Sequence, residues 1–202
     1  MRTTMPIWRR RPQSLGICYE LWTLRWEYLG QDDAKGPGMK AADLVVTPTH
    51  LRFLGRQFPR TIGRGGFTNR KVEGDGATPR GVHRIVGMLY RPDRIAQPAD
   101  WAVPIRPGDL WSDDVRDVDY NMMVRVPHAF SHEDLRRADP MYDVVIITDW
   151  NWPYAVKGRG SAIFIHQWRG KGRPTAGCVA LSRAHLHWIA PRIKHNTRLV
   201  IA

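Results

Sequence analysis

Gly160-Ser-Ala-Ile-Phe-Ile-His166 runs into Gln167-Trp-Arg-Gly-Lys-Gly-Arg-Pro-Thr-Ala-Gly-Cys178-Val-Ala-Leu181, and this stretch decides how the chain is read. Residues 161–166 are a continuous apolar run of strand length that delivers His166 at its end. Eleven residues lie between that histidine and Cys178, which sits in a second short apolar run, 177–181. Histidine and cysteine at the ends of neighbouring strands can meet across such a loop. A thiol is a useful nucleophile only as thiolate, so it needs a base or positive surroundings. His166 can supply the base, and Arg169, Lys171 and Arg173 the charge. A thiol pKa below the free value of about 8.5 is therefore expected. Gly177 lets the backbone approach closely, so amide N–H groups beside it can form an oxyanion hole. The competing reading is structural: a buried cysteine beside a satisfied histidine.

Upstream of this stretch the pattern is that of strands. Residues 43–47, 51–54 and 57–62 are short runs with β-branched or aromatic members, broken at Pro48, Gly55 and Gly63. A longer strand is predicted over 82–90, and others over 142–148 and 197–201. Residues 91–120, rich in Pro and Asp, read as a long surface excursion. Ser131, with Glu133 and Asp134 behind it, predicts a short capped helix, and Ser182 predicts a second one through Ile189. Strands dominate and no βαβ alternation is present, which argues a mainly β, β-rich α+β protein with a mixed or antiparallel sheet. Residues 1–38 differ in composition, with three tryptophans and Arg9-Arg10-Arg11, and close on Gly36-Pro37-Gly38. They are read as an N-terminal extension before a domain spanning 39–202, with Met39 an alternative start.

The shape strand, His166, loop, Thr175-Ala-Gly-Cys178, apolar strand resembles the catalytic motif of the L,D-transpeptidases, the YkuD-type family that remodels peptidoglycan. Gly74-Asp-Gly-Ala-Thr-Pro-Arg-Gly81 resembles the family's upstream Thr-Pro-x-Gly turn, and Asp119-Tyr120-Asn121 and Trp150-Asn151 fall where one branch carries Tyr-Asn pairs. The likeness covers roughly residues 42–202. It implies a YkuD-like curved mixed sheet or sandwich with one covering helix. It makes Cys178 the acylated nucleophile, His166 its general base, and Thr175, Ala176 and Gly177 the loop of the oxyanion donors. It also implies peptidoglycan stem peptides as substrates, carbapenems as the effective β-lactams, and neither metal nor organic cofactor. Two positions depart from the family pattern. Gln167 stands where a glycine is common and Ala180 where an arginine is common, and Arg173 or Arg183 is the candidate replacement for that arginine. What orients His166 is open between Asp75, Asp119, Asp143 and a backbone carbonyl, the last being favoured by the resemblance.

The formal charge of +12 is unevenly spread, since no carboxylate side chain follows Asp149. Such a field favours anionic partners, whether a carboxylate-rich peptide or a nucleic acid. A nucleic-acid-binding module lacks any recognisable helix-turn-helix, finger or RNA-binding signature, so no nucleic acid is expected. A zinc-dependent peptidase is suggested by His128 and His132 with Glu133, and by His185 and His187. The helix start at Ser131 would leave His128 outside it and abolish a shared face. Two cysteines make no disulfide framework, and Cys18 reads as a small apolar residue. No run approaches the roughly 20 apolar residues of a membrane span, and no clean export signal is legible. The substrate class implies the cell envelope or periplasm, with cytoplasmic retention left open.

Overall fold

The computed structural model describes residues 38–202; the N-terminal tract, with Cys18, lies outside them. The strands follow in chain order. β1 (Leu44–Val46), β2 (His50–Phe53) and β3 (Arg56–Thr61) open the domain, before β4 (Phe67–Thr68), β5 (Thr78–Pro79) and the long β6 (Gly81–Tyr90). Then come β7 (Val103–Pro104), β8 (Asp109–Ser112), β9 (Met123–Arg125), β10 (His132–Asp134) and β11 (Val144–Thr148). β12 (Phe164–Gln167), β13 (Val179–Leu181), α1 (Arg183–Ile189) and β14 (Arg198–Ile201) complete it. The described residues are mainly β with one α-helix, as the strand-rich pattern predicts. Among the described residues, no helix is long and apolar enough to cross a membrane.

The main sheet runs β11-β12-β13-β3-β2-β1-β14-β6-β7, and β11 also pairs with β6. The first part of β6 therefore holds β14 and its later part holds β11, so the sheet closes on itself. β1 with β14, β12 with β13 and β6 with β7 are parallel, which makes the sheet mixed. Leu54 and Gly55, both at positive φ, make the tight two-residue turn between β2 and β3.

Alternation along each strand sends every second side chain inward. Leu44, Val46, Leu51, Phe53, Met88, Ile146, Ile165, Val179 and Leu181 form one core, and α1 adds Leu186 and Ile189 to it. Ser182 caps the helix by accepting from the His185 amide at 3.2 Å. A seven-residue helix is not stable alone. The cap contributes about 1 kcal/mol, whereas each buried leucine or isoleucine contributes about 2 kcal/mol. Packing therefore holds the helix in place.

Two expectations are corrected. Residues 132–134 are not a helix but strand β10, paired with β8 in a three-stranded sheet ordered β10-β8-β9. His132 and Asp134 are exposed while Glu133 turns inward, an alternation of period two that outweighs the capping residues. Nor is the 91–120 segment a mere surface excursion. It buries Ala102, Ile105, Leu110, Trp111 and Tyr120, and its β8 forms the middle of the small sheet.

Candidate active site

The parallel ladder between β12 and β13 sets Ile165 beside Val179 and His166 beside Ala180. Ile165, Val179 and Leu181 point into the core. By alternation Phe164 and His166 share the opposite face with Cys178 and Ala180. Cys178 and His166 thus stand on one face of adjoining strands, both buried. The small sheet covers that face: Trp111 of β8 meets Phe164 edge to face, with ring centroids 4.9 Å apart.

The thiol donates to the Ala162 carbonyl at 3.0 Å and accepts from the Phe164 amide at 3.3 Å. His166 Nδ1 lies 2.8 Å from the Gln167 carbonyl oxygen. A carbonyl only accepts, so Nδ1 carries the hydrogen and Nε2 is left as the acceptor. A backbone carbonyl, not an acid, orients this ring. Asp75 is held by Lys71, and Asp143 by Arg94 and Arg183. Burial pushes the imidazole down to about 4, so the ring is neutral at physiological pH.

The thiol does not behave as the basic loop predicts. Burial first, and the nearby Glu133 carboxyl second, push it up to about 12. Arg169, Lys171 and Arg173 are exposed, so water screens their charge. Arg183 donates to Asp143 at 2.7 Å, and Arg173 packs over Gly170. Ala180 is fully buried between His166 and Thr61 of β3. Gln167 is half-buried.

Thr175 organises the turn before the cysteine. Its hydroxyl donates to the Cys178 carbonyl at 2.6 Å and accepts from the Gly177 amide at 3.2 Å. Gly177 has φ of +152°, and a Cβ there would lie 3.1 Å from the Ala77 carbonyl oxygen. Thr78, of the Thr-Pro-x-Gly turn, donates to the Gly177 carbonyl at 2.7 Å. The two segments carrying the family likeness, 99 residues apart, are therefore bonded directly. Ala176 is exposed.

Several residues near the thiol escaped sequence reasoning. In the sequence Asn121 stands out only as part of a Tyr-Asn pair. Its oxygen accepts from Trp111 Nε1 at 3.0 Å and the Ala162 amide at 2.9 Å, and its amide donates to the Trp150 and Asn151 carbonyls at 3.2 and 2.8 Å. It thereby fixes Ala162, the acceptor of the thiol hydrogen, at a positive φ of 50°. Tyr142 packs on His166 and donates to Glu133, while Tyr120 donates to Glu73. In the sequence Glu133 stands out only behind the Ser131 cap and beside the candidate zinc histidines. Tyr142 carried no signal beyond its apolar run.

The histidines considered for zinc are placed otherwise. His128 Nε2 is 3.0 Å from Asp117 Oδ2, and its ring lies 5.6 Å from that of His132. His185 packs on Phe58 with centroids 5.2 Å apart. Among the described residues, no group of three His, Cys, Asp or Glu side chains is placed to hold a metal ion.

Comparison with known proteins adds the family. Among solved structures, an L,D-transpeptidase from Mycobacterium smegmatis superimposes with a TM-score of 0.36 at 12% identity, over 76% of this chain and 52% of that one. Mycobacterium tuberculosis L,D-transpeptidase 1 does so with 0.38 at 12% identity, over 80% of this chain and 59% of that one. The chain therefore spans between half and three-fifths of those proteins. No curated protein matches the sequence. The YkuD family model, an L,D-transpeptidase catalytic domain, matches residues 47–201, a range that holds the Thr78 turn, His166 and Cys178: the chain belongs to that family.

Proposed function

We propose that this domain transfers acyl groups between peptidoglycan stem peptides through a thioester on Cys178. The observation that carries the proposal is the shared face of Cys178 and His166 on parallel strands, with Nε2 of a neutral imidazole left as acceptor. A neutral thiol and a neutral imidazole do not exist as a ready ion pair. His166 takes the thiol hydrogen as Sγ attacks the amide carbonyl that links an L-centre to a D-residue. The thiol leaves its bond to Ala162 as it does so. The S–C bond forms, and the oxyanion is held by the Cys178 N–H, next to the loop shaped by Thr175 and Gly177. The imidazolium then returns the proton to the leaving nitrogen, the C–N bond breaks, and D-alanine departs. An amine or water resolves the thioester, with His166 taking the proton of the incoming group. Each step is acid–base and acyl chemistry, so no cofactor enters it. Such a substrate places the enzyme in the cell envelope.

The test is turnover of a purified tetrapeptide stem, followed by release of free D-alanine and by the mass of the acyl-enzyme. A carbapenem should leave one covalent adduct, mapped to Cys178, and chelators should not alter the rate. An unmodified Cys178 after long incubation, with activity lost to chelation, would overturn the proposal.

A further inference from the structure

Among the described residues, Lys71 is the buried lysine. Its side chain is 3% exposed, whereas that of its partner Asp75 is 21% exposed. Nζ donates to Asp75 Oδ1 at 2.5 Å and to the Val72 carbonyl at 3.0 Å, which uses two of the three hydrogens of an ammonium. A salt bridge of this kind forms at lower cost on the surface, because burial strips water from the charge. Here the lysine is threaded inward past two glycines of the motif. A Cβ on Gly160 would lie 2.9 Å from Lys71 Cε, and one on Gly177 would lie 3.8 Å from Nζ. Both glycines leave space that the lysine occupies, and the second directly precedes Cys178.

The charged and titratable groups around the thiol come from every element packed on it. Glu133 of β10 opposes a thiolate, and Tyr142, ahead of β11, is a neutral phenol bonded to that glutamate. His166 of β12 is a neutral base, and Lys71 lies on the 69–77 loop as a cation. No nearby arginine takes this part: Arg137, over the Tyr142 ring, is bonded to Asp139, Arg183 is bonded to Asp143, and Arg173 is exposed.

We infer that Lys71 supplies the positive charge against which Cys178 becomes an anion. It is a positioning residue: it acts through the field at Sγ and takes no proton. The inference rests on reading Cys178 as the nucleophile. The electrostatic attraction of Lys71 for the thiolate agrees with it.

The experiment is the rate of Cys178 alkylation by iodoacetamide between pH 7 and 10, on the full chain, read by peptide mass. Below its pKa a thiol reacts in proportion to its thiolate fraction, so a shift of one unit is a tenfold change in rate. Lys71→Gln, which keeps the length and a donor, should slow alkylation about tenfold. Lys71→Arg should restore the rate to within about threefold of the parent. Asp75→Asn, which leaves the ammonium unneutralised, should speed it several-fold. If Lys71 only braces its loop, both Lys71→Gln and Asp75→Asn loosen the site and both speed alkylation. Changes of the same sign, or no change, overturn the inference. Alkylation needs no stem peptide, so a chain that fails to turn one over sinks the proposed function while this result still stands.

Discussion

The rings of Tyr142 and His166 meet at 77° with centroids 5.2 Å apart, and the same phenol donates its hydroxyl to Glu133. One side chain thus walls the imidazole and satisfies a carboxyl that burial raises above its ordinary value. The two duties can be separated. Tyr142→Phe should keep kcat within about threefold and cost about 1 kcal/mol of stability, the net worth of one hydrogen bond. Tyr142→Ala removes the wall as well, and should cost about 3 kcal/mol or more and lower kcat at least tenfold. Denaturant unfolding and stem-peptide turnover measure the two effects.

Cys178→Ala should abolish transfer while the domain still unfolds cooperatively. The lost contacts are the bonds to Ala162 and Phe164, worth about 1–2 kcal/mol together. Cys18→Ala should leave turnover unchanged. D-alanine release and calorimetry on both variants check this.

His166 sets a pH dependence of stability. Its folded value is about 4 against an ordinary 6.5, so the unfolded chain binds the extra proton between these values. Stability contributed by the neutral, buried ring is therefore present above pH 6.5 and is lost as pH falls from 6.5 to about 4. The loss amounts to about 3 kcal/mol. Glu133 titrates with the opposite sign in an overlapping range, so the quantity to measure is the difference between parent and His166→Gln at each pH. That difference should shrink on acidification across this window; a constant difference would contradict the buried neutral ring.

Asn121 binds four backbone or indole groups with one amide. Asn121→Leu leaves those groups without partners and should cost about 3 kcal/mol or more. Because Ala162 is one of the four, the resting bond of the thiol is disturbed too, and the rate of carbapenem acylation should change along with the melting temperature. Asn121→Asp should be nearly as harmful, since a carboxylate cannot donate to the Trp150 and Asn151 carbonyls.

Strands were legible where apolar runs had sharp ends. The observed β1, β3, β6, β11 and β14 lie within or one residue from the runs 43–47, 57–62, 82–90, 142–148 and 197–201. The Ser182 cap was legible because cap and apolar face agree. The Ser131 cap misled because Glu133 has a tertiary partner, Tyr142, that no local pattern discloses. The same blindness explains the thiol. Positive residues adjacent in sequence are solvated in space, while Glu133 and Lys71, 45 and 107 positions upstream of Cys178, act electrostatically on the thiol. Depth decides which charges count, and depth is not local.

The ladder between β12 and β13 has a consequence for variation. Alignment of His166 with Ala180 is fixed by interstrand bonds and by the Ile165, Val179 and Leu181 side chains in the core, not by the segment joining the strands. Slippage by one residue would rotate Cys178 into the hydrocarbon interior and Val179 outward, which the core forbids. The joining segment, with Arg169, Lys171, Gly172 and Arg173 on the outside, is therefore at liberty to lengthen, shorten or change charge. Selection can reshape that rim while the distance between His166 and Cys178 stays the same. What the paired strands hold and what the rim presents are inherited separately in this scaffold.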